Sequence, residues 1–347
     1  MFLNNQYIGL YGVAEPVDRK QLKLKKYNDT DGIRGELYKG LTYNLTKFYG
    51  SPSLYDNNEL LWGGFEYKHP EEKIDWSTLY DFADFVVSSS NKEFYSSYYN
   101  WFYSNNLVDY YLFLNLMMAI DNNGPNIFIA KYKENEPYFY VPWDLDGSFG
   151  LFYYGGKTNF FNITISNGLF DRLILDDSEN GFNAKLKQKW VQLRSDWLTM
   201  DGIVNLFKEN VDYLQANNVY ERENLAWDDF SYNSDNLVYL QEWTKNRIEY
   251  LDQVFKKLPT GITDPVSHTS SHSIQIYPNP AQDYLYFNSH DNFTISIYSL
   301  EGRFIQHAAI NSGQNKFSIS HLENGIYIIH LQNENMNEFQ KIVVRKP

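Results

Sequence analysis

The sequence predicts an α+β protein followed by a separate all-β segment, and three patterns carry that prediction. Apolar residues recur at helical spacing within 75–120 and again within 168–258. From residue 274 onward, short alternating runs separated by turn residues read as the strands of a β-sandwich. Between the two, residues 259–273 are rich in Pro, Gly, Thr, Ser and His, with no apolar period, which is the composition of a linker. The expected domains are therefore 1–258 and 274–347, joined by 259–273.

Taken in order, residues 1–14 read as a β-hairpin whose Asn4-Asn5 turn suits positive φ. Gly35 to Gly40 reads as a strand carrying Lys39, and Phe65 to Lys68 as another. Residues 41–64 are polar and rich in Tyr, Asn and Gly, and read as a loop. A helix starts near Asp75, with Leu79, Phe82, Ala83, Val86 and Val87 at helical spacing. A second opens at Asn106, with Asp109 as its N-cap, and runs to Ile120 with Tyr110, Phe113, Leu114, Met117 and Met118 as its buried stripe. After a Gly/Tyr/Asn-rich loop at 151–167 come helices at 168–173, 182–198, 201–217 and 239–258. The C-terminal strands fall at 274–277, 284–287, 294–298, 317–319, 325–331 and 340–344.

Composition excludes several classes of function. The chain has 347 residues and a net charge of −13, nearly all of it before residue 271. Such a field repels nucleic acid and attracts cations. No stretch approaches the roughly 20 apolar residues of a membrane span. There is no cysteine, so disulfides and thiolate metal sites are absent. Before the linker the sole histidine is His69, in a charged turn beside Pro70, which leaves little for a Ser-His-Asp or Cys-His hydrolase.

The chemistry concentrates between Asp121 and Gly150. A polar run, Asp121-Asn122-Asn123-Gly124-Pro125-Asn126, precedes an apolar strand, 127–130. A charged turn follows, then a second strand, 138–141, which delivers Asp144 and Asp146. Phosphoryl transfer uses an Asp to orient the attacking hydroxyl. An Asn and a further Asp hold Mg²⁺ against the nucleotide phosphates. In protein kinases the Asp and Asn lie five positions apart, as Asp121 and Asn126 do here. As a bare run these residues read first as a loop. Asp144 and Asp146, two apart, would share a strand face, an arrangement that suits one cation better than the acid and base of a glycosidase. Lys39 on its strand reads first as a surface lysine, with contact to α/β-phosphates as the alternative, and Lys68 is a second candidate of the same kind.

The segment "N-I-F-I-A…Y-V-P-W-D-L-D-G-S-F-G" resembles the core signature of the spore-coat protein H (CotH) kinase family. Leu37-Tyr38-Lys39, Lys189-Trp190 to Arg194, and Trp243…Arg247…Asp252 resemble further stretches of that family, and "F-L-N-N-Q-Y-I-G-L-Y-G" resembles its N-lobe hairpin. The resemblance implies a divergent two-lobed kinase-like domain, with an incomplete N-lobe and a mostly helical C-lobe. It implies an atypical kinase acting on Ser or Thr of a protein substrate, with ATP and Mg²⁺ or Mn²⁺ as cofactors. Asp121 would be the base, Asn126, Asp144 and Asp146 the metal ligands, and Lys39 the phosphate contact. Arg194 and Arg247 would brace the C-lobe.

"I-Y-P-N-P-A-Q-D-Y-L", "I-Y-S-L-E-G-R", "N-G-I-Y-I-I" and "K-I-V-V-R-K" resemble the type A sorting domain of the type IX secretion system, an immunoglobulin-like sandwich. That resemblance implies recognition by the secretion machinery through residues 274–347 and a secreted or cell-surface location. No signal peptide follows Met1, so the natural start is expected upstream. Two alternatives stand beside the kinase: a non-catalytic surface protein retaining the fold, and a secreted protein acting on polysaccharide.

Overall fold

The computed structural model describes residues 1–152, 154–257, 274–289, 291–299, 304–333 and 336–346; the linker expected at 259–273 lies outside them. The chain divides into two compact units, Met1–Leu151 with Ile165–Gly261, and Phe152–Thr164 with Ile262–Pro347. Most of the loop expected after Gly150 thus belongs with the second unit.

The first unit opens with a small hairpin, β1 (Phe2–Leu3) and β2 (Gln6–Tyr7), turned by Asn4 and Asn5 at φ 51° and 63°. The return arm is shorter than the sequence suggests. It is tied down by buried Glu223, which accepts from the Tyr7 hydroxyl and from the Leu10 N–H. The main sheet is antiparallel and five-stranded: β3 (Glu36–Gly40), β4 (Leu61–Trp62), β5 (Phe65–His69), β6 (Ile127–Lys131) and β7 (Tyr138–Pro142), in the order β4-β5-β3-β6-β7. Strand alternation gives it two apolar faces. Tyr38, Phe65, Tyr67, Ile127, Ile129, Tyr138 and Tyr140 enter the main core. Leu37, Phe128, Ala130 and Phe139 form a smaller cluster with Leu24. The strap bearing Leu24 is pinned to the end of β6 by the Lys25 N–H to the Tyr132 carbonyl, 2.9 Å.

One charge is buried among these tyrosines. Glu36, 4% exposed, accepts from Tyr138 (2.6 Å), Tyr38 (2.8 Å) and Thr78 (2.7 Å), and pairs with Lys131 at 3.1 Å. Burial pushes both tyrosine hydroxyls well above their usual range, which keeps them protonated as donors. Three hydroxyls on one carboxylate oxygen and an ammonium on the other compensate the buried charge, the condition under which a buried ion is tolerated.

Helices α1 (Ser77–Ser88), α2 (Asn91–Trp101) and α3 (Ser104–Met117) pack the core face of the sheet; α4 (Gly168–Ile174), α5 (Phe182–Asp196), α6 (Met200–Ala216), α7 (Val219–Ala226) and α8 (Asp235–Lys257) complete the unit. Helices α2 and α7 were not expected. For α2 a signal exists in Ser90-x-x-Glu93, since the Ser90 side chain accepts from the Glu93 N–H at 3.2 Å. Helix α3 begins at Ser104, so Asp109 is not its N-cap: it lies in the second turn and pairs with Lys189 at 3.0 Å. Arg194 clasps Asp252, and Arg247, fully buried, donates to the Asn115 carbonyl. Both are braces within the helical part, as expected.

The second unit contains two antiparallel sheets. One joins β8 (Gln275–Tyr277), β9 (Tyr284–Ser289) and β12 (Gly313–Ser318). The other joins β10 (Phe293–Ser299), β11 (Phe304–Ile310), β13 (Gly325–Asn333) and β14 (Met336–Val344). Leu285, Phe287, Ile295, Ile297, Ile329 and Leu331 meet in one buried cluster. Strand β11 was missed in the sequence.

His69 is buried at the end of β5 rather than lying in a charged turn, and its Nε2 is 3.0 Å from the Lys25 carbonyl. Burial pushes its pKa below the ordinary imidazole value, outweighing that hydrogen bond. As pH falls through the unfolded value of about 6.5, the unfolded chain binds more protons than the folded one, and stability is lost. Thermal unfolding should therefore show a shallower loss of Tm between pH about 7 and 5 in His69→Gln than in the parent chain. Equal slopes would contradict this.

Candidate active site

Helix α3 ends with Met118 in the left-handed region, φ 52°, which turns the chain sharply into a short 3₁₀ turn, Asp121–Asn123. That turn is held from inside. Asn122 and Asn123 are 2% and 1% exposed. The Asn122 amide donates to the carbonyls of Asn126 (2.8 Å) and Trp143 (2.7 Å). The Asn123 amide donates to the Ser166 carbonyl (2.7 Å) and accepts from Asn167 (3.0 Å). The Asn122 carbonyl in turn accepts from Tyr110 at 2.6 Å, whose hydroxyl burial keeps protonated. Two residues that read as loop formers are thus the buried rivets of the segment.

The same contacts join the loop to the β6–β7 hairpin. The Asp121 carbonyl accepts from the Asn126 N–H at 3.0 Å, and the Asn126 carbonyl accepts from the Trp143 N–H at 3.2 Å. The Asn126 side chain donates to the Asp144 carbonyl at 3.5 Å. Asp121, Asn126 and Asp144 are therefore consecutive links of one hydrogen-bonded run. Asp144 sits at φ 56°, and its carboxylate and that of Asp146 are exposed. Asp146 accepts from the Gly147 N–H at 2.8 Å. Beyond it the chain is anchored again by the Phe149 N–H to the Met117 carbonyl, 2.7 Å, and by Tyr239 on the Gly150 carbonyl, 2.6 Å.

Lys39 lies one strand away on β3, opposite Glu66 and Phe128 in the sheet. Among the described residues it makes no ion pair and no side-chain hydrogen bond, so the structure does not bring its ammonium onto Asp121, Asn126, Asp144 or Asp146. The second candidate, Lys68, pairs with Glu66 at 3.1 Å. The end of β3 does meet the loop: a Cβ on Gly40 would lie 2.1 Å from the Gly124 carbonyl oxygen, an approach that only glycine permits.

Sequence reasoning passed over Tyr43, in the stretch read as a plain loop. Its hydroxyl donates to Asp121 Oδ1. No local pattern announces a contact between residues 78 positions apart.

As acceptors, Asn126, Asp144 and Asp146 offer oxygen atoms only. Asn126 uses its amide nitrogen on the Asp144 carbonyl, which leaves its amide oxygen as an acceptor, and Asp144 and Asp146 are exposed. Oxygen ligands of this kind suit Mg²⁺ or Mn²⁺. Among the described residues, no group of three or more His, Asp or Glu side chains is gathered to hold a metal ion.

Two family models match the chain. One, described as CotH kinase protein, covers residues 1–251. The other, the secretion system C-terminal sorting domain, covers residues 275–345. No match was found among curated proteins. A solved structure, dimeric latent PorU from Porphyromonas gingivalis, aligns with 21% of this chain and 9% of its own, at 16% identity and a TM-score of 0.17. The chain thus spans under a tenth of that protein's length, and nothing about fold or function is drawn from the likeness.

The double donation by Asn122 sets a measurable stability. Asn122→Ala removes both donations of a buried amide and should cost about 2 kcal/mol in urea unfolding. A change within about 0.5 kcal/mol, the range of a neutral surface substitution, would contradict the rivet.

Proposed function

The chain belongs to the CotH kinase family over residues 1–251, and from that premise we propose that it is an exported atypical kinase, passing the γ-phosphoryl group of ATP to a Ser or Thr hydroxyl of a protein. The observation that carries this reading is the hydrogen-bonded run from Asp121 through Asn126 to Asp144 at the open end of the β6–β7 hairpin.

In this reading Asp121 accepts the proton of the attacking hydroxyl. The hydroxyl oxygen bonds to the γ-phosphorus, the bond from that phosphorus to the bridging oxygen breaks, and ADP leaves. Asn126 and Asp146, with Asp144 beside them, would hold Mg²⁺ or Mn²⁺. When bound, the ion offsets the negative charge of the phosphates. Lys39 would meet the phosphates once nucleotide is present. The rigid loop serves this chemistry because positioning, not covalent work, is most of what a phosphotransferase contributes.

The C-terminal sorting domain, residues 275–345, supports secretion or surface display through the type IX machinery. Its two sheets closing on one core are the arrangement an immunoglobulin-like sandwich would have. The protein substrate is then one met outside the cell or at its surface.

Equilibrium binding of labelled ATP with Mg²⁺ to the whole chain tests the reading. Asp146→Asn should weaken nucleotide binding on the order of 10-fold or more, as removal of a metal ligand does. Asp121→Asn should keep binding and slow phosphate transfer by roughly 10²–10⁴-fold, the range of general-base catalysis. A parent chain that binds no nucleotide would leave a surface protein with a kinase-family fold. Release of sugar from a glycan panel would favour the polysaccharide reading.

A further inference from the structure

The segment 41–48, which has little regular structure, is held firmly at both ends of its turn. The Leu41 N–H bonds the Gly64 carbonyl (2.8 Å) and the Leu45 N–H bonds the Gly63 carbonyl (2.9 Å), so the segment hangs from the β4–β5 turn. The Thr46 hydroxyl closes back onto the Thr42 carbonyl at 2.5 Å. A single 3₁₀ turn, Leu45–Lys47, then carries Lys47 inward, where it is 4% exposed.

This places Tyr43 between two fixed surfaces. The Lys47 ammonium lies 4.4 Å from the centre of its ring. The backbone of Gly124 lies against the ring so closely that a Cβ there would be 2.4 Å from Tyr43 Cδ1. The hydroxyl ends on Asp121 Oδ1. A ring clamped in this way has little rotational freedom, and its hydroxyl can point in few directions. A cation over the ring face also draws electron density from the phenol, which makes the hydroxyl a better donor. Hydrogen bonds to a charged acceptor are among the stronger ones in proteins.

We propose that Tyr43 is a positioning residue for Asp121, with Lys47 as its brace. Tyr43 fixes which carboxylate oxygen faces the tyrosine, and so the rotamer in which Asp121 meets the substrate hydroxyl. The segment 41–48 is therefore a working part of the site and carries the orientation of Asp121 from the β4–β5 turn. This inference rests on the reading of Asp121 as the base.

The test is steady-state phosphate transfer by the whole chain, by Tyr43→Phe, and by Lys47→Met and Lys47→Arg, with a melting curve for each and a crystal structure of Tyr43→Phe. Tyr43→Phe should lower kcat on the order of 10-fold to 100-fold while KM for ATP stays within about 2-fold, the signature of a contact that matters in the transition state. Lys47→Arg, which keeps a cation over the ring, should retain most of the rate that Lys47→Met loses. In the Tyr43→Phe crystal the Asp121 carboxylate should leave its present rotamer. An unchanged kcat, or an Asp121 that holds its rotamer without the hydroxyl, overturns the inference. If the parent chain transfers no phosphate, the kinase reading fails by itself, and the Asp121 rotamer still decides the role of Tyr43. If Tyr43→Phe does not fold, the ratio of the two Lys47 variants decides: equal rates overturn the brace.

Discussion

One side-chain amide ties the candidate site together. Asn122 donates both of its protons to carbonyls, one at the entrance of β6 and one at the exit of β7. Those two points are where Asn126 and Asp144 leave the sheet. The Asn122 side chain is itself buried, so without these carbonyls its amide protons would have no ready partner in water. The loop that carries Asp121 and the hairpin that carries the acidic doublet are therefore tied to each other through one residue. Asn123 extends the same device to the start of α4 through Ser166 and Asn167. A site built on loops gains in this way the precision usually reserved for helices and strands.

Much of this architecture could be read from the sequence, and the rest could not, for reasons that differ by residue. The β6–β7 hairpin was legible because its apolar runs are bounded by a charged turn, and the long helices because their apolar stripes are regular. Helix α2 was not, since its buried face is made of aromatic rings set among Ser, Asn and Tyr, which dilute the periodic signal. Its cap was the better clue. Asp109 misled because Asp is favoured at an N-cap, while the true start at Ser104 follows Tyr103, which offers no side-chain cap.

The candidate site divides in the same way. Asp121, Asn126, Asp144 and Asp146 announce themselves by residue type and order. Asn122 and Asn123 do not, because their local preference is for turns and their amide partners include residues some 40 positions away, an arrangement that only folding reveals. Tyr43 is more distant still. Lys39 has the charge for a phosphate contact, yet a side-chain tie to Asp121 comes from Tyr43. Sequence indicates which groups have the chemistry, whereas long-range hydrogen bonds decide which of them are held in place.

In the proposed kinase, the loop and hairpin would present oxygen ligands for a divalent cation next to Asp121. Anomalous scattering from crystals of the whole chain grown with Mn²⁺ and a non-hydrolysable ATP analogue tests it most directly. A manganese peak is expected about 2.1 Å from an oxygen of Asp146 or Asn126, the coordination distance of a Mg²⁺-type site. A map with nucleotide bound and manganese elsewhere, or with neither present at saturating concentrations, would contradict it.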